Sequence, residues 1–473
     1  MNKRILFTVF ILMSVMTCWW LRSFFLPENL SQRIVNGNAS EYVLSYAKYL
    51  KLPAYYIYQR KGQAVGSNAW LQATRELANT KANYAVELAQ YFLQQDDKHQ
   101  GELWLAHAMT LKNEQAIWIL ANLRVKEENY QAAVTLLSKL IDDHASAAWS
   151  EKSLRLLIDI ALIQGDLTRL AKYTAKLKMI EPEHPLLNEL FHYSVSAVKP
   201  DEQKLKETCV ASVQMYATEL SHLRRVSQFI TQFNETSLNP YVCFTQPRYI
   251  SLAQLGCWHQ RSDTIRCDEG HWQQLAATID TRYIGVMLPQ GGANVNHGIL
   301  YVDSSDSFTV FTHEIEHLLG FIDEYPLPKN HAKCAAVQTS PFAFNIAVLP
   351  KRLSGNRQAI RKRIIEQLAW GKMIKAQTPI LTESNGQWLL GTPEEYNNEI
   401  GLFNSDTCLN NQLAQKNQPN AIQAFKPLAS LTSMAYHELS FPDTYSRLLA
   451  ATPRQFLMPD FQRNIAIAQS TGR

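Results

Sequence analysis

Residues 313–323 of this chain read HEIEHLLGFID. His313 and His317 are four residues apart, so on a helix they lie on one face and both imidazoles can reach the same metal ion. Glu314 lies beside them, where its carboxylate can take a proton from a water molecule. The stretch therefore predicts a helix that carries two metal ligands and a general base.

The residues around the two histidines strengthen this interpretation. The same spacing occurs by chance on surface helices, where histidine and glutamate are simply solvated. Here apolar residues at 310–311 and 318–319 predict a buried helix, and buried His and Glu need polar partners such as a metal ion. Gly320 can end the helix in a left-handed turn that brings Asp323 back toward the ion. Three protein ligands and one open position are typical of catalytic zinc.

The motif HExxHxxGxxD, followed by Glu324-Tyr325, resembles that of metzincin-type zinc peptidases in which aspartate replaces the usual third histidine. It is most similar to the IgA-peptidase-like metalloendopeptidases of bacteria. Other segments match on both sides of the helix, in the same order, at 291–293, 297–302, 401–403, 425–427 and 433–434. The resemblance covers about residues 280–445. It implies a mixed-sheet, metzincin-like peptidase fold that binds Zn2+ through His313, His317 and Asp323, with Glu314 as the catalytic base.

The sequence leaves the identity of the third metal ligand open. The spacing after Gly320 is uncertain by one residue relative to the resembled family, so either Asp323 or Glu324 could complete the site. His331 and His437 are lesser candidates.

A second part of the resemblance concerns Met434 and Tyr436. The segment 433–436 resembles the tight turn that places a methionine beneath the zinc site in metzincins. Tyr436 matches the tyrosine that some relatives direct at the metal or the oxyanion, and it is the second predicted catalytic residue. The alternative is an ordinary core methionine followed by a surface tyrosine.

The N-terminal residues predict a membrane anchor. Lys3-Arg4 precedes an uncharged run from Ile5 to Leu21, which is at the short end for crossing a bilayer. No small-residue cleavage site follows, so residues 1–26 are interpreted as an uncleaved signal anchor with its positive end in the cytoplasm. Lipid attachment at Cys18 is the lesser alternative. We expect a single-pass protein of the bacterial inner membrane with its body in the periplasm.

The cysteines fit an exported protein. Apart from Cys18, six cysteines lie after residue 200, and an even number in an exported domain predicts three disulfides. Six cysteines allow 15 pairings, which the sequence cannot separate. Order and proximity favour one of them, the set Cys209–Cys243, Cys257–Cys267 and Cys334–Cys408.

Residues 27–200 predict an all-helical domain. No proline occurs from Ala54 to Glu181, the composition favours helices, and Leu88-Ala89 and Leu120-Ala121 stand 32 residues apart. This pattern resembles degenerate tetratricopeptide or Sel1-like helix pairs, which offer a surface for a protein partner. A helical domain without true repeats is the alternative. The net charge of +4 gives no reason to expect a nucleic-acid partner.

The remaining residues, 201–473, predict the peptidase domain, with an insertion at about 326–430. The fold class is therefore α+β: a helical-repeat domain followed by a mixed-sheet domain. The resemblance further implies that the strand Gly298–Val302 pairs with extended substrate. We expect Ser305 or Asp306 to cap the metal-binding helix.

The predicted function is a membrane-anchored periplasmic endopeptidase that hydrolyses peptide bonds of a protein or peptide substrate with zinc-activated water. Two alternatives remain. The chain could be an envelope scaffold that retains a peptidase fold without activity, although the intact Glu314 argues against this. It could also be a zinc hydrolase that acts on peptidoglycan, because the same chemistry serves both substrates.

Overall fold

The computed structural model describes residues 26–142, 146–195, 209–259, 265–272, 275, 277–411 and 421–461. The described residues of Met1–Ile160 and Thr168–Pro182 form one compact unit, and those of Ala161–Leu167 and Glu183–Arg473 form a second. The hydrophobic run of the predicted anchor and the predicted domain boundary near residue 200 lie outside the described residues. Within them, no helix combines the length and apolar character needed to cross a membrane.

The first unit consists of helices joined by short turns. Their bounds are α1 Pro27–Val35, α2 Glu41–Tyr49, α3 Pro53–Arg60, α4 Asn68–Ala78, α5 Ala82–Gln94, α6 Lys98–Thr110, α7 Glu114–Lys126, α8 Tyr130–Asp142, α9 Ala147–Gln164 and α10 Leu167–Ile180. Small side chains let the helices pack closely, since Ala85, Ala89, Ala108 and Ala116 are fully buried in one core with Trp70.

Four consecutive helices, α5 to α8, follow a regular repeat. Each has 13 residues, and they begin at residues 82, 98, 114 and 130, an interval of 16. The connecting turns place Asp96, Lys112 and Glu128 at positive φ, the left-handed conformation that commonly ends a helix. Asp97 and Asn113 then cap the next helices. Two such helices make one repeat of 32 residues, so the predicted helical-repeat-like organisation is confirmed.

The second unit is built on a mixed sheet. Its elements are α11 Pro185–His192, β1 Ala211–Ala217, α12 Leu220–Phe233, β2 Val242–Phe244, β3 Arg248–Tyr249, α13 Leu252–Leu255, β4 Cys257–His259, β5 Ile265–Cys267, β6 Tyr283–Leu288, β7 Asn294–Asn296, β8 Ile299–Asp303 and α14 Phe308–Leu318. The strand order is β2-β1-β6-β8-β7, with β3 also paired to β1. All neighbours are parallel except β7, which runs antiparallel to β8.

The strand order corrects the expectation for Gly298–Val302. Strand β8 has β6 on one side and β7 on the other, so its backbone groups are already paired. The expectation is wrong because Gly298, at φ +76, lets the chain reverse between β7 and β8. The short hairpin then places Asn294–Asn296, rather than Gly298–Val302, at the edge of the sheet.

The predicted insertion folds into small antiparallel sheets. The elements after α14 are β9 Ala347–Pro350, β10 Arg352–Leu353, α15 Arg357–Glu366, β11 Leu381–Ser384, β12 Gln387–Leu390, β13 Phe403–Ser405, β14 Ile422–Lys426 and α16 Asp443–Ala451. Strands β10-β12-β11 form one sheet and β13-β14-β9 another. Val348 and Ala424 pack with Ile322 in one buried core, so the insertion supports the segment just after α14. The predicted α+β fold class is confirmed.

The second unit contains three disulfides among the described residues. They join Cys209 to Cys243, Cys257 to Cys267, and Cys334 to Cys408. These are the pairs that order and proximity favoured. Disulfides persist in oxidising compartments, which places this unit outside the cytoplasm.

Candidate metal centre

Helix α14 is held by aromatic packing on one side. Phe311 is fully buried, with its ring 5.2 Å from that of Phe229 and 5.7 Å from that of Phe244. The helix begins at Ser307, whose hydroxyl accepts a hydrogen bond from the backbone N–H of Val310 at 3.3 Å. The expectation that Ser305 or Asp306 caps this helix is therefore wrong.

The capping expectation failed because both side chains have other partners. The hydroxyl and the backbone N–H of Ser305 donate to the carboxylate of Asp303, at 2.6 and 2.7 Å. The carboxylate of Asp306 accepts the backbone N–H of Asp303 at 2.6 Å. These bonds stabilise the turn between β8 and α14.

The two histidines of α14 are oriented by backbone carbonyls. His313 Nδ1 lies 2.9 Å from the carbonyl oxygen of Ser433, and His317 Nδ1 lies 3.0 Å from that of Phe321. Since a carbonyl only accepts, each Nδ1 atom must donate a proton. In the neutral ring, Nε2 then carries the lone pair. The structure thus presents both imidazoles in the tautomer that binds a metal through Nε2.

The carboxylate of Asp323 lies close to both histidines. Its Oδ1 atom lies 3.2 Å from His313 Nε2 and 3.1 Å from His317 Nε2. Burial alone would raise the pKa of Asp323, but the two imidazoles hold it well below its usual range. Burial lowers the pKa values of His313 and His317, but Asp323, together with the carbonyls that accept from Nδ1, raises both pKa values overall.

The three atoms fit a bound metal ion. Asp323 Oδ1 is buried, makes no hydrogen bond of standard geometry among the described residues, and faces Nε2 of both histidines. A bound metal ion would replace the proton that a histidine with a raised pKa can otherwise share with Asp323. For zinc with ligands at about 2.0–2.2 Å in tetrahedral geometry, the ligand atoms would be about 3.4 Å apart. The distances of 3.1–3.2 Å from Asp323 Oδ1 to the two Nε2 atoms are close to this value.

Glu314 belongs to the same cluster. Its carboxylate lies within 4.8 Å of the ligand atoms of both His313 and His317, a group that could hold a metal ion. Burial raises the pKa of Glu314, and the two histidines only partly offset this. A carboxylate with a raised pKa, close to the metal position and facing a cleft, has the properties of a general base.

The neighbouring Glu324 points away from this cluster into a buried network. Its Oε2 atom accepts from Lys426 Nζ at 2.8 Å, while its Oε1 atom accepts from the hydroxyl of Tyr445 and from Asn345 Nδ2. Both carboxylate oxygens are therefore occupied. Of the two open candidates for the third ligand, the structure brings Asp323 to the histidines and Glu324 to the core.

The turn at Met434 contacts the side chain of His313. The N–H groups of Ala435 and Tyr436 both donate to the carbonyl of Thr432, which closes the turn around the fully buried Met434. The carbonyl of Ser433 is the acceptor for His313 Nδ1. A tight turn is thus present at Met434, and it fixes the tautomer of one histidine.

The turn at Met434 also contacts the segment after α14. The carbonyl of Met434 accepts the N–H of Glu324 at 2.9 Å. The hydroxyl of Ser433 donates to the carboxylate of Glu316, and burial raises the pKa of Glu316 to about 8. The turn therefore connects α14 to the segment that carries Asp323.

A cleft of about 560 Å³ opens at the cluster. Its lining residues come from the edge strand, helix α14, the segment after it and the C-terminal part: Ala293, Asn294, Val295, Glu314, His317, Gly320, Phe321, Ile322, Asp323, Tyr325, Leu327, His331, Lys333, Phe342, Gln455, Phe456, Leu457, Met458 and Pro459. Tyr436 is not among them, and its side chain is 58% exposed.

Tyr325 is the tyrosine that the structure brings to the cleft. Burial raises its pKa, and so do the adjacent carboxylates of Asp323 and Glu314. The sequence signal for Tyr325 was its place directly after the motif. Of the lesser ligand candidates, His331 lines the cleft, whereas His437 Nδ1 lies 3.0 Å from the hydroxyl of Thr309.

Gly320 allows the C-terminal segment to lie against the helix end. It has φ +103, and a Cβ atom there would lie 2.3 Å from the carbonyl oxygen of Phe456. We expect Gly320→Ala to lower the free energy of unfolding by more than the about 1–3 kcal/mol of backbone strain alone, as measured by urea titration. Gly386→Ala is the matched control, because Gly386 also has positive φ but no atom within 4 Å. Equal losses in the two variants would show that the close approach has no energetic effect.

No known protein family, no curated protein and no solved structure matches this chain.

Proposed function

We propose that this protein is a zinc-dependent endopeptidase that acts outside the cytoplasm. The observation that supports this proposal best is that Asp323 Oδ1 lies 3.2 Å from His313 Nε2 and 3.1 Å from His317 Nε2. Two imidazole nitrogens, one carboxylate and a position open to a cleft match the ligand set of catalytic zinc.

The side chains around the cluster divide the reaction between them. Bound zinc would act as a Lewis acid, lowering the pKa of water and polarising the scissile carbonyl. Glu314 would accept the proton of the attacking water and return it to the leaving amine. Tyr325 lines the same cleft and would donate its phenolic proton in a hydrogen bond to the developing oxyanion. We assign this role to Tyr325 because Tyr436, for which the sequence predicted it, does not line the cleft.

The sheet edge beside the cleft would hold the substrate chain. Ala293, Asn294 and Val295 line the cleft, and Asn294–Asn296 form the edge strand β7. An edge strand has unpaired backbone groups on its outer side, so an extended peptide can add to it as a further strand. This arrangement favours a peptide substrate over a glycan.

The proposed location combines the disulfides with the N-terminal sequence. The three disulfides require an oxidising compartment. The uncharged run from Ile5 to Leu21 would anchor the protein in the inner membrane, with both units in the periplasm. The helical repeat of the first unit would bind a protein partner.

The metal assignment can be tested on the full-length protein purified in detergent. We expect one zinc per chain by elemental analysis and loss of most of this zinc in Asp323→Ala after dialysis. Asp280→Ala, which removes an exposed carboxylate outside the cleft, should retain it. Cleavage of a mixed peptide library by the wild type would support the peptidase proposal. Zinc binding without cleavage of peptides or cell wall would instead favour the scaffold alternative.

A further inference from the structure

The cleft contains two basic side chains that the proposed mechanism does not use. Lys333 and His331 line it together with Glu314 and Asp323. Both come from the short 3-10 turn Ala332–Cys334 and its capping residue. The cleft therefore has basic groups in addition to the carboxylates of Glu314 and Asp323.

Lys333 has no ion-pair partner within 4 Å in the part of the chain that the structure describes. Its side chain remains accessible to solvent, yet protein atoms crowd the ammonium enough that burial lowers the pKa of Lys333. The charge of Asp323 offsets this effect only in part. Lys333 is thus a solvent-accessible cation in the cleft lining, where it can pair with an anionic group that enters the cleft.

His331 supplies a hydrogen-bond donor next to this cation. Its Nδ1 atom accepts the backbone N–H of Lys333 at 3.3 Å, so in the neutral ring the proton is on Nε2. Burial and the charge of Lys333 lower the pKa of His331, which keeps the ring neutral at pH 7. The Nε2–H group is therefore available to an acceptor in the cleft.

The segment that carries these residues is fixed at its C-terminal end. Cys334 is buried and linked to Cys408, and its N–H donates to the carbonyl of His331 at 2.8 Å. The side-chain amide of Asn411 donates to the carbonyl of Cys334 at 2.6 Å. A turn whose backbone is held in place before binding loses less conformational entropy when a ligand arrives.

We propose that Lys333 and His331 bind a carboxylate of the substrate close to the scissile bond. An ammonium and a neutral N–H donor that line the same cleft can each donate a hydrogen bond to one oxygen of a carboxylate. The carboxylate could come from an acidic side chain or from the free C-terminus of the substrate. The proposal rests on the proposed peptidase function and names the substrate class of the same site.

Cleavage specificity gives the first test. Full-length wild type, Lys333→Met, Lys333→Glu and the control Lys329→Met are compared on one mixed peptide library, with free or amidated C-termini, and cleavage sites are read by mass spectrometry. Lys329 is exposed and does not line the cleft. We expect the wild type and Lys329→Met to prefer an acidic group near the cut by about tenfold in kcat/KM. Lys333→Met should lose this preference, and Lys333→Glu should favour basic side chains.

A binding measurement separates this proposal from the peptidase assignment. In the Glu314→Gln background, dissociation constants are measured by fluorescence anisotropy for labelled alanine peptides that contain one glutamate or one glutamine. We expect about tenfold tighter binding of the glutamate peptide, which Lys333→Met removes. Amidation of the C-terminus shows which carboxylate is recognised, because it weakens binding only if the terminal group is bound.

The two arms together give decisive outcomes. Selective binding without any cleavage would support the carboxylate site and contradict the peptidase assignment. Cleavage with equal preference in wild type and Lys333→Met would overturn the carboxylate site and leave the peptidase assignment intact. Equal affinity for both peptides, or no binding of either, would also overturn it.

Discussion

Replacing Glu314 by glutamine should lower kcat/KM for peptide cleavage by about 10²–10⁴ while the protein keeps its zinc. Glutamine has the same shape but cannot accept the proton of the attacking water. Metal affinity should change little, because the assigned ligands are His313, His317 and Asp323. Kinetics and elemental analysis on the same preparation measure both quantities.

A matched control for this variant is Glu366→Gln, which makes the same chemical change on an exposed part of α15. It should leave both cleavage and zinc content at the wild-type level. Loss of zinc in Glu314→Gln would make Glu314 a ligand rather than the base. Full activity with zinc retained would contradict the proposed mechanism altogether.

Replacing Lys426 by methionine should lower the free energy of unfolding by about 3–5 kcal/mol, because it leaves a buried carboxylate without its cation. Lys426 and Glu324 are both buried, and their side chains are 2.8 Å apart. The Lys426 ammonium also donates to the carbonyl of Ser430 at 2.9 Å. Urea titration followed by intrinsic fluorescence measures the loss.

Lys375→Met provides the contrast for this variant. Lys375 pairs with Glu399 at 3.3 Å, but its side chain is 59% exposed, and an exposed pair contributes only about 0–1 kcal/mol. In the double variant Glu324→Gln/Lys426→Met, part of the stability should return, since the unpaired charge is gone. A loss in Lys426→Met no larger than in Lys375→Met would contradict the importance of the buried pair.

The sequence predicted the parts of the site that depend on helical periodicity. His313, Glu314 and His317 are neighbours on one helix, and their spacing alone brings them together. The repeat of helices α5 to α8 could be partly predicted from the sequence for the same reason. Leu-Ala pairs recur at the length of one helix pair, at 88–89 and 120–121. The spacing of residues along a helix decides which of them share a face, whatever the rest of the chain does.

The parts that the sequence left open depend on distant residues. Asp323 and Glu324 are adjacent and chemically similar, and the choice between them is made by Lys426, about a hundred residues away, which takes Glu324 into the core. Strand β7 became the sheet edge through a reversal at Gly298. Lys333 lines the cleft within a segment that a disulfide fixes. None of these contacts has a spacing that could be read in advance.

The disulfide between Cys334 and Cys408 also has a consequence for how the protein matures. It joins residues 74 positions apart, and closing a loop of this size restricts the unfolded chain by about 4 kcal/mol. A newly made chain that is still reduced lacks this contribution, and the neighbouring Lys333 and His331 lose their covalent support at the same time. Oxidation after export would therefore determine when the protein becomes competent to recognise a substrate, which would protect the cytoplasm from premature proteolysis.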